Sequence, residues 1–214
     1  MLTAELFFSF RSPYSYLSIG RYRALMESHT VDVALRSVWP LAVREPDFFE
    51  RNHPNWLRYT MTDMVRVAQF HAIPFGAPRP DPIVQDTATR EIAKDQPYIR
   101  RITRLGQTAA RRGKGVAFAH EAAQLIWGGA ENWHEGDHLA GAASRAGLDL
   151  AELDGEVSAQ ADALDAEIAA NQQALEGAGH WGVPCLVFDG EPFFGQDRIE
   201  LAKWRMEQKG LAPR

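Results

Sequence analysis

A short apolar run, Leu6 to Phe10, leads directly into Ser12-Pro13-Tyr14-Ser15. The apolar residues are typical of a buried strand. Serine followed by proline is a common helix start, with Ser12 as the N-cap and Pro13 as the first helical residue. The sequence therefore predicts a strand-to-helix turn at Ser12. Because a helix amino terminus carries a partial positive charge and free N–H groups, this turn would stabilise a thiolate, phosphate or carboxylate.

The residues after this turn complete a β-α-β pattern. Apolar side chains recur every three or four positions from residue 13 to about residue 28, which predicts a helix, and residues 31 to 35 alternate as in a strand. A segment with frequent prolines then surrounds a predicted helix from about Trp56 to Phe70. Residues 84 to 176 are rich in alanine and predict several further helices.

The last part of the chain has the pattern of a β-hairpin. Two apolar runs, Cys185 to Phe188 and Glu191 to Phe194, are joined by an Asp-Gly pair that favours a tight turn. The Val183-Pro184 bond stands just before the first of these runs and is predicted to be cis. A final helix is predicted from Asp197 to Gln208.

Four short motifs stand in a fixed order along the chain: Phe7 to Leu17, Asn52-His53-Pro54 followed by Arg58-Tyr59, Asp63 and Arg66, then Gly182-Val183-Pro184, and Phe194-Gly195-Gln196-Asp197-Arg198. In this order and spacing they resemble the thioredoxin-fold branch that contains 2-hydroxychromene-2-carboxylate isomerase, the kappa-class glutathione transferases and, more distantly, the DsbA-like disulfide oxidoreductases. The resemblance covers nearly the full length of the chain.

The resemblance implies an α/β, thioredoxin-like fold with a large all-helical insertion of the DsbA and kappa kind. Residues 1–55 and 178–214 would form the thioredoxin-like domain, and residues 56–177 would form the helical insertion domain.

Disulfide exchange requires an attacking thiolate and a second thiol that resolves the mixed disulfide. The chain has one cysteine, Cys185, and serines 12 and 15 stand where redox proteins of this layout carry two cysteines. The usual redox catalysis is therefore excluded, and the thiol must come from a ligand. In the isomerase and kappa branches that ligand is glutathione.

The resemblance gives Ser12 the catalytic role, because the equivalent serine binds the sulfur of glutathione and favours the thiolate. It assigns glutathione binding to five residues: Asn52, Val183, Pro184, Gln196 and Asp197. Arg11 and Tyr14 are weaker candidates for substrate binding. A charge such as Arg11 at a strand end is more often a solvated surface residue.

The function that this resemblance implies is glutathione-dependent isomerisation of a 2-hydroxychromene-2-carboxylate in aromatic-compound catabolism, by thiolate addition, bond rotation and elimination. A glutathione S-transferase or peroxidase of the kappa type is the nearer alternative. A metal-dependent hydrolase or a non-catalytic thioredoxin-fold protein is the more distant one.

The metal alternative depends on His134-Glu135-Gly136-Asp137-His138, which matches the H-E-x-x-H pattern of zinc enzymes. That pattern binds zinc only on a helix, where the two histidines lie one turn apart. Gly136 and Asp137 disfavour a helix interior, and Asp137 is better placed as the N-cap of the apolar run from Leu139. We therefore expect no metal site.

The balance of 23 basic and 28 acidic residues gives a formal charge of −5, which offers no general attraction for nucleic acid or anionic membranes. The sequence shows neither a secretory leader pattern nor an apolar stretch of about 18 residues. We expect a cytoplasmic protein whose partner is a small aromatic substrate. Relatives form dimers, so a homodimer is an open alternative to a monomer.

Overall fold

The computed structural model describes residues 1–86, 89 and 91–214. Within these residues four strands form one mixed sheet: β1 (Leu2–Phe8), β2 (Val31–Ser37), β3 (Cys185–Phe188) and β4 (Glu191–Phe194). The strand order is β2-β1-β3-β4, with β1 parallel to β2 and antiparallel to β3, and with β3 and β4 forming the predicted hairpin. The β-α-β unit therefore contributes the central strand β1, and the hairpin contributes the neighbouring central strand β3.

The helices in the described part of the chain are α1 (Pro13–Ser28), α2 (Leu41–Arg44), α3 (Phe48–Arg51), α4 (Pro54–Phe70), α5 (Pro97–Arg111), α6 (Gly115–Trp127), α7 (His138–Arg145), α8 (Leu150–Ala159), α9 (Ala161–Gly177) and α10 (Ile199–Glu207). The predicted α1 is confirmed. β1 lies further toward the amino terminus than the apolar run that predicted it, and α10 begins two residues later than expected. The short helix α3 lies where the sequence predicts loop, α4 begins two residues before its predicted start, and α2 ends where the proline-bearing segment begins.

Side chains of successive strand residues point to opposite faces of the sheet. On β1, Leu6 and Phe8 belong to the larger core, which includes side chains of α1, α5 and α6. Phe7 points to the other face and packs in a smaller cluster with Leu175 of α9 and Cys185 of β3. Helices therefore cover both faces of the sheet. This sheet, with helices on both faces and further helices between β2 and β3, is the predicted thioredoxin-like fold. The division into two domains stays a prediction.

The segment between β1 and α1 is anchored by the inserted helices. Phe10 is fully buried, and its ring lies 5.1 Å from that of Phe8 and 6.3 Å from that of Phe118 on α6. The indole N–H of Trp127 donates to the Phe10 carbonyl at 3.0 Å. A Cβ on Gly106 of α5 would lie 2.5 Å from the Phe10 ring, so only glycine fits there. These contacts fix the position of Phe10, which precedes Ser12 by two residues, and so fix the start of the turn.

Candidate functional site

Ser12 caps the amino terminus of α1, as the sequence predicts. Its backbone is extended, its N–H donates to the Ser9 carbonyl at 3.0 Å, and its Oγ accepts the N–H of Ser15 at 3.2 Å. Pro13 occupies the first turn. A hydroxyl in this position lies beside the positive end of the helix dipole, where an anion is stabilised.

The loop that precedes β3 lies against this hydroxyl. The Val183-Pro184 peptide bond is cis, as predicted, and the Ser12 hydroxyl donates to the carbonyl oxygen of Val183 at 3.4 Å. On the far side of the loop, the Pro184 carbonyl accepts the N–H of Gly195 at 2.9 Å. The fold therefore brings together Ser12, Val183 and Pro184, which lie about 170 residues apart in the sequence.

Two side chains that sequence reasoning did not identify hold this loop. Arg44 donates through Nε to the Trp39 carbonyl at 2.7 Å and through Nη2 to the Trp181 carbonyl at 3.2 Å. Burial of the Arg44 guanidinium lowers its pKa, while the nearby Glu45 and Glu176 carboxylates act in the opposite direction. Both acceptors are backbone carbonyls that reach Arg44 only in the folded chain. No local sequence pattern therefore predicts this role for Arg44.

His180 is the second of these side chains. Its Nδ1 accepts the N–H of Gly182 at 2.9 Å, which requires Nδ1 to carry no proton. Burial lowers the pKa of His180, and the bond to Gly182 only partly opposes that shift. At neutral pH the ring is therefore uncharged, and its remaining proton is on Nε2.

Gln196 and Asp197 lie in the turn between β4 and α10. Gly195 has a φ of +106°, and a Cβ there would approach Asp197 Oδ1 to 2.7 Å, so the turn requires glycine. The Gln196 carbonyl accepts a hydrogen bond from Arg21 of α1 at 2.8 Å. Asp197 pairs with Arg198 at 3.0 Å and is mostly exposed. The Gly195 bond to Pro184 connects this turn to the cis-proline loop.

Arg11 and Tyr14, the weaker substrate candidates, both have protein partners. Arg11 makes a bidentate pair with Asp81 at 2.5 and 2.6 Å. Tyr14 donates its hydroxyl to Asp63 of α4 at 2.7 Å, and burial followed by this bond raises the pKa of Tyr14 well above its usual value. Tyr14 therefore stays protonated. A substrate carboxylate would have to compete with Asp81 for Arg11.

Asn52 ends α3, where its side-chain amide donates to the Phe48 carbonyl at 2.6 Å. The contact between α3 and the segment before the cis-proline is made by Phe48, whose ring lies 5.3 Å from that of Trp181. The Asn52 amide donates back into α3, and its role in ligand binding stays a prediction.

Aromatic side chains border the cis-proline loop. We call Phe48, Trp56, His180, Trp181 and Phe194 the aromatic rim. The His180 ring stacks on Phe194 at 3.9 Å and on Trp181 at 5.5 Å, and Phe48 contacts both Trp181 and Trp56. Trp181 and Phe194 are each 43% exposed although they are large and apolar. An exposed apolar cluster of this kind is typical of a binding surface.

Cys185 follows the cis-proline but is inert where it lies. It is fully buried within the sheet, and burial raises the pKa of its thiol to about 11. The reactive form of a cysteine is the thiolate, which is scarce at neutral pH for such a pKa. Cys185 is therefore a packing residue.

Two open cavities are lined by other residues. One, of about 330 Å³, is lined by Asn55, Arg58, Tyr59, Thr62 and Arg66, all on α4, so it is a groove on the outer face of a single helix. The other, of about 630 Å³, lies between α2 and the start of α5. Neither is lined by Ser12 or the cis-proline loop.

The His134 motif does not form a helical zinc site. His138 is the first residue of α7, and His134 lies in the preceding turn. In the described part of the chain no cluster of three or more histidine, cysteine or acidic side chains could hold a metal ion. Nor is any described helix long and apolar enough to cross a bilayer.

The family model of the DSBA-like thioredoxin domain matches residues 3–207. No curated protein matches the sequence significantly.

Several solved structures share the fold. That of a 2-hydroxychromene-2-carboxylate isomerase superposes with a TM-score of 0.69 at 20% identity, covering 97% of this chain and 95% of the other. A probable DsbA oxidoreductase from Streptomyces coelicolor gives a TM-score of 0.66 at 18% identity, with coverage of 97% and 89%. The cytosolic disulfide reductase DsbM from Pseudomonas aeruginosa, solved with GSH, gives 0.61 at 16%, with coverage of 97% and 100%. At these identities the likeness shows the fold alone.

Proposed function

Since the chain belongs to the family of DSBA-like thioredoxin domains, we propose that it is a glutathione-dependent isomerase of the 2-hydroxychromene-2-carboxylate type. One observation carries the proposal: the position of the attacking cysteine is occupied by Ser12, which faces a cis-proline loop, while the one cysteine of the chain is buried with a raised pKa. A thiol that reacts at this site must therefore be brought by a ligand.

Glutathione fits the groups around Ser12. The cysteinyl part of the peptide would pair with the backbone of Val183, and its sulfur would lie beside the Ser12 hydroxyl. The γ-glutamyl ammonium would pair with the exposed carboxylate of Asp197, and Gln196 would bind the adjoining carboxylate. Asn52, which follows α3, is a further proposed contact to the same ligand. A related fold solved with GSH supports this choice of thiol.

The reaction needs no redox step and no protein nucleophile. The hemiketal of 2-hydroxychromene-2-carboxylate first opens: the bond between C2 and the ring oxygen breaks, the proton of the 2-hydroxyl passes to the released phenol oxygen, and a ketone conjugated to the cis double bond forms. The glutathione thiolate then adds to the aryl-bearing carbon of that double bond, forming a C–S bond while the π electrons move to the ketone oxygen. The former double bond can then rotate, and expulsion of the thiolate restores it in the isomeric product. Ser12 and the amino terminus of α1 stabilise the thiolate before addition and after elimination.

The aromatic rim supports a planar aromatic second substrate. Trp181 is flanked by Phe48 and His180, so its exposed part is directed away from the protein beside the cis-proline loop. An aryl ring attached to the reacting carbon would meet Trp181 edge to face, an arrangement that stabilises aromatic pairs. The rim therefore orients the substrate, and the Ser12 turn activates the thiol of glutathione.

Replacing Trp181 by alanine should raise the KM for 2-hydroxychromene-2-carboxylate by roughly 2- to 10-fold, because one aromatic contact contributes about 0.5–1.5 kcal/mol. The Kd for glutathione should not change, since Arg44 binds the backbone carbonyl of Trp181, which the variant keeps. Steady-state kinetics with each substrate varied separately measure both values.

Trp204 provides the matched control. It is 48% exposed on α10 and is contacted by the Arg205 guanidinium 5.0 Å from the ring centroid. Trp204→Ala should leave both constants unchanged within twofold. Equal effects of the two substitutions, or no effect of either, would remove the rim from the substrate site.

The proposed activity is tested by following interconversion of 2-hydroxychromene-2-carboxylate and its open-chain hydroxyaryl-pyruvate isomer, with and without glutathione. We expect catalysis only with the thiol present. Conjugation of glutathione to 1-chloro-2,4-dinitrobenzene without isomerisation would instead indicate the kappa-type transferase, which shares the same glutathione contacts. Absence of both reactions with bound glutathione would contradict the proposal.

A further inference from the structure

The side chain of His180 is hydrogen-bonded to the segment that carries the cis-proline. Its Nδ1 accepts the N–H of Gly182 at 2.9 Å. Gly182 immediately precedes Val183, whose peptide bond to Pro184 is cis. A side-chain acceptor that binds the N–H two residues further on fixes the backbone between them, as asparagine does in an Asx turn. His180 therefore sets the course of the chain just before the residues that face Ser12.

Gly182 lies in a closely packed position. It is buried, and the rings of His180 and Phe194 stack at 3.9 Å. A Cβ on Gly182 would lie 2.7 Å from Phe194 Cε2 and 3.2 Å from His180 Cε1, so both rings approach this residue closely. A buried backbone N–H without an acceptor is unfavourable. The conformation of this segment therefore depends on the acceptor that His180 supplies.

Protonation of His180 removes that acceptor. A neutral imidazole has one nitrogen that accepts and one that donates, whereas both nitrogens of the imidazolium carry protons. A protonated Nδ1 would direct its own N–H at the N–H of Gly182, and the two donors would repel each other. The charged ring is therefore compatible only with a segment that has moved away from it.

Within the part of the chain that the structure describes, burial and not a neighbouring charge sets the titration of His180. Burial lowers its pKa, and the bond to Gly182 partly opposes that shift. The charged groups on the surrounding elements have partners of their own: Glu176 of α9 accepts from Gln172, Arg44 of α2 binds the Trp39 and Trp181 carbonyls, Arg51 of α3 pairs with Glu45 and Asp47, Glu191 of β4 pairs with Arg205, and Asp197 pairs with Arg198. A change in pH therefore reaches the cis-proline loop through His180 itself.

We propose that His180 is a positioning residue for the thiol ligand: its neutral ring holds Gly182, and thereby holds the cis-proline loop in the form that glutathione binds. This rests on the proposed glutathione function and deepens it, because it makes binding depend on a proton at a residue other than Ser12. The ligand selects the neutral ring, and its affinity falls as the ring becomes protonated.

Two substitutions separate the hydrogen bond of His180 from the stacking of its ring. His180→Asn keeps an acceptor, because asparagine Oδ1 can accept the N–H two residues further on, and it has no group that titrates. His180→Phe keeps a ring to stack on Trp181 and Phe194 but offers no acceptor. His29→Phe is the control, since His29 lies at the opposite end of α1 from Ser12.

The binding probe is ophthalmic acid, the glutathione analogue that carries a methyl group in place of the thiol. Its carboxylates and its ammonium keep their charges between about pH 5 and 7, and it has no thiol, so a pH dependence of its Kd reports on the protein. We expect the wild-type Kd, measured by calorimetry, to rise as the pH falls. The rise should approach about tenfold per pH unit below the pKa of His180 in the free protein, because one proton must leave before the ligand binds.

The variants should differ in a defined order. His180→Asn should bind ophthalmic acid with the wild-type Kd at pH 7 and should lose most of the pH dependence. His180→Phe should bind at least about fivefold more weakly at pH 7, with little pH dependence left. His29→Phe should keep both the wild-type Kd and its pH dependence.

A second measurement uses the wild-type protein alone. The pKa of the His180 imidazole, followed by NMR, should be lower in the glutathione complex than in the free protein, because linkage between proton and ligand is reciprocal. This value decides the inference even where a variant does not fold.

Several results would overturn the inference while leaving the proposed function standing. They are an imidazole pKa that glutathione does not change, a wild-type Kd that is constant between about pH 5 and 7, and a pH dependence that persists in His180→Asn. Weaker binding by His180→Asn than by His180→Phe would assign the ring a stacking role instead. If neither glutathione nor ophthalmic acid binds the wild-type protein at neutral pH, the proposed function fails together with the inference.

Discussion

Ser12→Ala should lower glutathione-dependent turnover of 2-hydroxychromene-2-carboxylate roughly 10- to 100-fold near neutral pH. The variant loses the hydroxyl that donates to the thiolate, and a hydrogen bond to a charged group contributes about 1.5–3 kcal/mol. Glutathione should still bind, because its other contacts involve the backbone of Val183 and the turn at Gln196 and Asp197. The effect should therefore fall on kcat more than on the Kd for glutathione.

Ser12→Ala should also change how activity depends on pH. Removing a donor to the thiolate raises the pKa of the bound thiol, so the reactive fraction falls at pH values below that pKa. Activity of Ser12→Ala should recover in part as the pH rises, and the pH–rate profile should shift to higher pH relative to the wild-type protein. A variant as active as wild type at pH 7 would contradict the role of Ser12.

Cys185→Ala serves as the control. Its thiol is buried and has a pKa of about 11, so its loss should leave the pH–rate profile unchanged. Loss of the N-cap in Ser12→Ala costs about 1 kcal/mol of stability, so thermal unfolding of each variant should be measured beside its kinetics. If Cys185→Ala were the inactive variant, the thiol would come from the protein and not from a ligand.

The double substitution Ser12→Cys/Ser15→Cys should convert the site to disulfide exchange. Ser15 is fully buried, and its hydroxyl has no hydrogen-bond partner among the described residues, so a thiol can replace it without losing a bond. A thiolate at position 12 would be stabilised by the amino terminus of α1, and the buried thiol at position 15 would resolve the mixed disulfide. Reduction of insulin by dithiothreitol should rise from background to a rate proportional to enzyme concentration.

The single variants separate the two roles. Ser12→Cys should form a mixed disulfide with oxidised glutathione, detected by mass, but should not turn over. Ser15→Cys should not react in the native protein, because its thiol is buried. A folded double variant that reacts no faster than wild type would show that the Ser12 turn does not lower the pKa of a thiol.

Local patterns predicted the parts of the site that depend on neighbours in sequence. Ser12 and Pro13 define the start of α1 by capping geometry alone, and the Asp-Gly turn with its flanking apolar runs defines the β3–β4 hairpin. The proximity of Ser12 to Val183 is predicted only by the family resemblance, because no local sequence pattern relates residues that are so far apart.

The remaining features depend on contacts that form only in the folded chain. The sequence makes Arg11 a candidate ligand for a substrate carboxylate, but Asp81, 70 residues later, is its partner. Arg44 and His180 hold the cis-proline loop through backbone atoms of distant or turn residues, and side-chain type alone does not reveal such bonds. The short helices α2 and α3 have too few residues for a periodic pattern.

Titration of the wild-type protein with glutathione, followed by calorimetry and thermal unfolding, tests most directly whether the site takes its thiol from this ligand. A ligand that binds only the folded state adds RT ln(1 + [L]/Kd), about 2.7 kcal/mol at 100 times Kd. We expect measurable heat of binding and a melting temperature that rises with glutathione concentration. No heat and no shift at millimolar glutathione would contradict the account.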